Sequence, residues 1–244
     1  MDLRLDDLGV ENLKIWQDKD LFCFGTDAVL LANFACPKSK DKLLDIGTGN
    51  GIIPLLLTAK SDVSHITGLE IQSKSFALAK KNVEFNNLTH KIEIIEGDIK
   101  DTALFSAASF SYITCNPPYK PVGTGLKNPD SPLALARHEI LCTLEDIISR
   151  AAFLLCSKGK LAMVHKPERA AQIIYLMKKN RIEPKRMLTV HARTGQAPCL
   201  ILIEGMKDGN EGLKWEDPLT IYDENGVYTA HCNMLYQKTK EKKA

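Results

Sequence analysis

Three glycines at alternate positions, Gly47, Gly49 and Gly51, follow directly on the run Lys42-Leu43-Leu44-Asp45-Ile46 and lead into Ile52-Ile53-Pro54-Leu55. No other stretch restricts the fold as much. The apolar run reads as a short strand, and it ends where glycine makes left-handed backbone cheap. Pro54 has no N–H to donate and is tolerated only in the first turn of a helix, so a helix must begin close behind Gly51. A strand, a tight turn and a helix form the first half of a βαβ unit. Such units build parallel sheets covered by helices on both faces.

The same alternation runs along the chain. Further strands are expected at His65–Ile71, Lys91–Gly97, Phe110–Cys115 and Gly159–His165, from their β-branched and aromatic content. Helices are expected at Ser73–Asn86, Thr143–Leu155 and Pro167–Asn180, where apolar residues recur on one side or helix start and stop residues bracket the segment. Arg186–Val190 and Pro198–Glu204 read as an antiparallel hairpin added to the sheet edge. The fold class is therefore α/β, a doubly wound, mostly parallel seven-stranded sheet with a C-terminal edge hairpin. At 244 residues the chain suits one domain, expected over residues 1–236 with residues 1–40 as an N-terminal lid and 237–244 as a frayed polar tail.

A glycine turn between strand and helix lets a ligand approach bare backbone beside the partial positive charge of the helix start. A dinucleotide fingerprint would need a third glycine at position 52, which is Ile52. The G-x-G-x-G spacing instead resembles motif I of the class I S-adenosylmethionine-dependent methyltransferases, a Rossmann-like fold. That resemblance implies that Asp45, with Gly47, Gly49 and Gly51, lies near the methionine part of the cofactor. Glu70 ends the second strand, 19 residues after Gly51, the spacing at which a carboxylate reaches a ribose diol. Gly97-Asp98 puts another acid on the same rim, and in the superfamily that acid accepts from the cofactor's adenine amino group. Ligands of open α/β sheets bind at the carboxyl ends of the strands, so these acids should converge.

The fourth strand ends in Asn116-Pro117-Pro118-Tyr119. Two prolines stop a central strand and hold the preceding residues extended. The resulting rim offers an amide, carbonyls and one aromatic ring, a set suited to methyl transfer onto a planar nitrogen. The lone pair of such a nitrogen is delocalised. Acceptors on its N–H groups, the Asn116 side-chain oxygen and the Pro117 carbonyl, favour tetrahedral geometry and stabilise the charge that develops. Tyr119 can stack on the acceptor plane. The motif is similar to that of amino-methyltransferases acting on adenine N6, cytosine N4 and release-factor glutamine.

Further blocks narrow the choice. Phe22-Cys23-Phe24-Gly25-Thr26-Asp27-Ala28, Leu135-Ala136-Arg137-His138-Glu139 and Pro218-Leu219-Thr220-Ile221-Tyr222 resemble the bacterial tRNA1(Val) (adenine-37-N6)-methyltransferase family, over roughly residues 5–230. The resemblance implies that Thr26 and Asp27 assist at the methionine end of the cofactor and that Asn116 contributes there too. It implies transfer from S-adenosylmethionine to adenine N6 of tRNA, at the anticodon stem-loop. A helical domain of the release-factor enzymes would not fit in the 44 residues before Asp45, and the recognition insert of many DNA enzymes also finds no room. A protein glutamine N5-methyltransferase is the principal alternative, followed by a DNA adenine N6-methyltransferase. A nicotinamide-dependent oxidoreductase and a non-catalytic RNA-binding module are disfavoured by Ile52 and by the intact Asn116.

Composition sets the outer bounds. Lys+Arg 32 against Asp+Glu 30 leaves a net charge of +2, so any RNA affinity must come from a local basic rim. Lys120, Arg137, His138, Lys166 and Arg169 are the candidates. The seven cysteines lie at least 13 residues apart, with no CxxC pair, and read as reduced thiols rather than metal ligands. The N-terminal residues have no apolar core of a signal peptide, and the longest apolar run, Ile52–Leu57, is too short to cross a bilayer. A cytoplasmic monomer without metal or membrane contact is expected.

Overall fold

The computed structural model describes residues 2–21, 23–119 and 142–237. In chain order these form β1 (Leu3–Asp7), β2 (Lys14–Asp18), α1 (Thr26–Phe34), β3 (Lys42–Ile46), α2 (Ile52–Lys60), β4 (His65–Glu70), α3 (Ser73–Phe85), β5 (Ile92–Glu96) and β6 (Phe110–Cys115). There follow α4 (Leu144–Leu154), β7 (Leu155–His165), a 3-10 turn (Pro167–Arg169), α5 (Ala170–Lys179), β8 (Ile182–Arg193), β9 (Pro198–Lys207), β10 (Lys214–Trp215), β11 (Leu219–Tyr222) and α6 (Ala230–Gln237).

The main sheet runs β10-β8-β9-β7-β6-β3-β4-β5, with β11 also paired to β8. Strands β5, β4, β3, β6 and β7 are parallel neighbours, whereas β9 is antiparallel to both β7 and β8. Alternate residues of each strand enter opposite cores, as the period of two requires. Leu43 of β3 belongs to the core under α1 and α2, together with Leu31, Leu55 and Leu57. Its neighbour Leu44 belongs to the core under α4 and α5, together with Ile148, Leu154, Ile173 and Met177. The doubly wound α/β class is thus observed.

Three expectations need correction. Among the described residues the sheet has nine strands, not seven, because β10 and β11 pair in parallel along β8, outside the antiparallel β8–β9 hairpin. Both added strands are short, at two and four residues, below what periodicity can register. Strand β8 begins at Ile182, before the expected Arg186, because the ladder absorbs Pro184 in a register shift between Pro184 and Arg186. The helix expected from Pro167 is a 3-10 turn that passes into α5 at Ala170.

The first 40 residues contain a separate β1–β2 hairpin and α1. Asn82 of α3 and Asn86, which caps the end of that helix, serve β2 as a strand partner would. Asn82 Oδ1 accepts from Trp16 N at 2.7 Å and its Nδ2 donates to Trp16 O at 3.0 Å. Asn86 repeats the pattern on Lys14, at 3.0 and 2.7 Å.

Candidate active site

The glycine turn leaves β3 with Gly47, Gly49 and Gly51 all in left-handed backbone, at φ +68°, +60° and +86°. A Cβ on Gly47 or Gly49 would meet no atom within 4 Å, so both present bare backbone to open space. Gly51 differs: it faces Ala79 of α3, where a Cβ would touch the Ala79 Cβ at 3.5 Å. It lets the end of the turn pack closely on α3.

Glu70 holds this turn to the end of β4. Its carboxylate accepts from Gly49 N and from Gln72 N, each at 2.8 Å. Asp45 lies behind the turn, fully buried, and Oδ1 accepts from the Thr114 hydroxyl at 2.6 Å. Its Oδ2 has no hydrogen-bond partner among the described residues. Burial drives the Asp45 carboxyl up to about 7, against the pull of the Thr114 hydroxyl. Asp98 is half-exposed and accepts from Lys100 N at 2.9 Å in a local turn.

Past β6 the chain turns at Asn116-Pro117-Pro118-Tyr119. The Tyr119 hydroxyl lies 2.7 Å from Asn116 Oδ1 and 2.7 Å from Asp27 Oδ2. Asp27 sits in the first turn of α1 and is buried; its Oδ1 accepts from Ala28 N at 2.9 Å. Gly25 makes room for it, because a Cβ there would lie 2.8 Å from Asp27 Oδ1. Burial, with Asp27 adding to it, holds the Tyr119 phenol far above its usual range.

The Tyr119 ring meets two further side chains. His165 meets it edge-on at 5.3 Å, and the Lys166 ammonium lies 5.4 Å from its centroid. Lys166 N donates to His165 Nδ1 at 2.8 Å, so the imidazole proton sits on Nε2. Burial, reinforced by Arg169, pushes His165 down to about 4, and the ring stays neutral at physiological pH.

These groups enclose a cavity of about 630 Å³. Its walls include Thr26, Asp27, Gly47, Gly49, Glu70, Asp98, Asn116, Pro117, Pro118, Tyr119 and Lys166, so most of the residues expected at the site meet there. Asp45 and Gly51 stand behind the wall, and Arg169 lies in the 3-10 turn outside it. Lys120, Arg137 and His138 lie outside the described residues. The thiols of Cys115 and Cys142 also face the cavity; burial raises both, Cys142 to about 12, so neither is a thiolate at neutral pH. Sequence reasoning passed over Cys199 and Leu200, which β9 brings to the wall, and over His165. Only its place at a strand end marked His165.

The cavity suits an adenosyl sulfonium cofactor. Its volume lies within the usual range for cofactor sites, bare glycine backbone lines one side, and the held carboxylate of Glu70 faces the same space. The model of the methyltransferase small domain matches residues 12–180. The chain belongs to that family. Among curated methyltransferases it is 32% identical over 209 residues to the tRNA1(Val) (adenine(37)-N6)-methyltransferase of Bacteroides thetaiotaomicron, covering 84% of this chain and 85% of that one. The protein of the same name from Tolumonas auensis is 31% identical, with 77% of each chain covered. Among solved structures, a predicted O-methyltransferase from Agrobacterium tumefaciens superposes with a TM-score of 0.70 at 21% identity, over 88% of this chain and 98% of that one. The tRNA m1G37 methyltransferase of Methanocaldococcus jannaschii gives 0.59 at 14% identity, covering 85% of this methyltransferase and 57% of that chain. Both structures share the fold.

Among the described residues, no cluster of three or more His, Cys, Asp or Glu is placed to hold a metal ion, and no helix is long and apolar enough to cross a membrane.

Proposed function

We propose that this protein transfers the methyl group of S-adenosylmethionine to the exocyclic N6 of adenine 37 in a tRNA, acting as a cytoplasmic monomer on the anticodon stem-loop. One observation carries the reading: the Asn116–Tyr119 corner and the glycine turn line the same cavity. The relatives named tRNA1(Val) (adenine(37)-N6)-methyltransferase support the choice of acceptor.

When bound, the cofactor supplies an electrophilic methyl on sulfur. Gly47 and Gly49 give it backbone contacts, Glu70 takes the ribose hydroxyls and Asp98 the adenine amino group, with Thr26 at the methionine end. Asp45 stands behind the wall, bonded to Thr114 of β6. An adenine in an anticodon loop is weakly stacked and is turned out at small cost. Tyr119 stacks on it, and Asn116 Oδ1 with the Pro117 carbonyl accepts from its N6 amino group, which draws the lone pair towards the methyl. Lys166 at the cavity wall and Arg169 in the 3-10 turn take the phosphates of the loop.

Nucleoside mass spectrometry of tRNA from a strain lacking the protein tests this. Loss of N6-methyladenosine from one tRNA, restored by the wild-type gene, is the expected result. Unchanged tRNA together with an unmethylated release factor would transfer the activity to protein glutamine.

A further inference from the structure

Asp27 was expected at the cofactor, yet its carboxylate points to the corner that receives the acceptor. Its Oδ2 and Asn116 Oδ1 converge on a single point, the Tyr119 oxygen, at 2.7 Å each. A phenol carries one hydrogen and cannot satisfy two acceptors at once. An amino group carries two. Two acceptor oxygens, one buried and one partly buried, that close on one atom therefore match –NH2 better than –OH.

We infer that Asp27 is a catalytic residue, which receives the proton released from N6 after methyl transfer, and that the Tyr119 hydroxyl holds the place of the amino group until the adenine arrives, when the side chain turns aside and its ring lies against the base. This rests on the function proposed above. The N6 lone pair forms the new N–CH3 bond as the S–CH3 bond breaks, and the electron pair of that bond remains on sulfur. The nitrogen then carries a positive charge and two hydrogens, one of which passes to Asp27 Oδ2. The products are N6-methyladenine, the neutral thioether and a protonated Asp27, which returns its proton to water when the site opens. The neutral amide oxygens of Asn116 and Pro117 are too weakly basic to take that proton, whereas a carboxylate is basic enough to receive it from the far more acidic N6 cation and pass it on. Among the described residues no lysine or arginine pairs with Asp27, so its charge is left for the cation that forms in front of it. Gly25 belongs to the same arrangement, since a side chain there would press on Asp27 Oδ1.

Asp27→Asn keeps the size and one acceptor oxygen but cannot take the proton. Calorimetric titration with S-adenosylmethionine should give a Kd within about threefold of wild type. Single-turnover methylation of an unmodified tRNA transcript at saturating cofactor should slow by about 100-fold or more, the range of lost proton transfer. Asp27→Ser is the second variant should Asp27→Asn fail to fold. A single-turnover rate within threefold of wild type overturns the role of Asp27 alone. So does a cofactor Kd weakened more than tenfold with the rate restored at saturation, which would make Asp27 a cofactor ligand. A wild-type protein that methylates no tRNA adenine overturns the functional reading itself and removes the premise.

Discussion

Asn82 Nδ2 donates to the backbone carbonyl of Asn50 at 2.9 Å, so one fully buried side chain ties the glycine turn to both α3 and the N-terminal hairpin. Asn82→Ala removes all three hydrogen bonds and leaves polar groups of Trp16 and Asn50 unpaired in a mostly buried place. The expected loss of stability is about 2–4 kcal/mol, since unsatisfied buried groups cost about 1–3 kcal/mol each and part of β2 can relax towards water. Urea unfolding should show it. A weaker affinity for S-adenosylmethionine should accompany it, because the turn that carries Gly47 and Gly49 loses its anchor. A variant as stable as wild type would mean that the hairpin contributes nothing to the turn.

The raised pKa of Asp45 has a definite sign in stability. Its folded value of about 7 lies above the ordinary 3.8, so the folded state holds a proton that the unfolded chain releases in between. Stability from this group is complete below pH 4, falls by about 1.4 kcal/mol per pH unit up to about 7, and is constant above. Asp45→Asn keeps the acceptor for Thr114 and removes the titration. It should melt higher than wild type at pH 8, and the difference should shrink towards zero as the pH falls to 4. A difference that is the same at both ends would place the cause elsewhere.

Glu204 makes a comparable buried anion on β9, fully enclosed yet well paired. Tyr112 donates to it at 2.5 Å, Lys160 at 3.0 Å, and Arg186 lies at 3.5 Å while also bonding Glu216 at 2.7 Å. Glu204→Ala leaves two cations facing an empty space and should cost about 3–5 kcal/mol, read from chemical denaturation. Replacement by Gln, which keeps the hydrogen-bonding shape, should cost less.

Nothing in the pattern around Tyr112 or Glu204 announced that network. Glu204 stands in the apolar run Pro198–Glu204, and its partners are 18 to 92 residues away. What could be read in the sequence was local: glycines that need positive φ, a proline confined to a first helical turn, a strand stopped by two prolines. Those features placed the turn, Glu70 and the Asn116–Tyr119 corner. Contacts made across the fold were not legible, among them that of Asp27 with Tyr119, 92 residues apart. Strands β10 and β11 were missed for another reason, since they pair along β8 with too few residues to set up a period.

Asn116 and Tyr119 touch one another but should fail differently when replaced. Asn116→Ala removes the oxygen that draws the N6 hydrogens, an interaction that strengthens as charge develops, so turnover should fall by about 100-fold or more with the affinity for S-adenosylmethionine nearly intact. Tyr119→Ala removes a stacking surface, worth about 1–3 kcal/mol per base, and should act on kcat/KM for tRNA by about 5- to 150-fold. Tyr119→Phe keeps the ring between His165 and Lys166 and should recover most of that loss. Steady-state kinetics with one tRNA transcript and all three variants checks the set. Wild-type turnover by Asn116→Ala would refute polarisation of the amine by this side chain. A Tyr119→Phe variant as slow as Tyr119→Ala would move the role of Tyr119 from its ring to its hydroxyl.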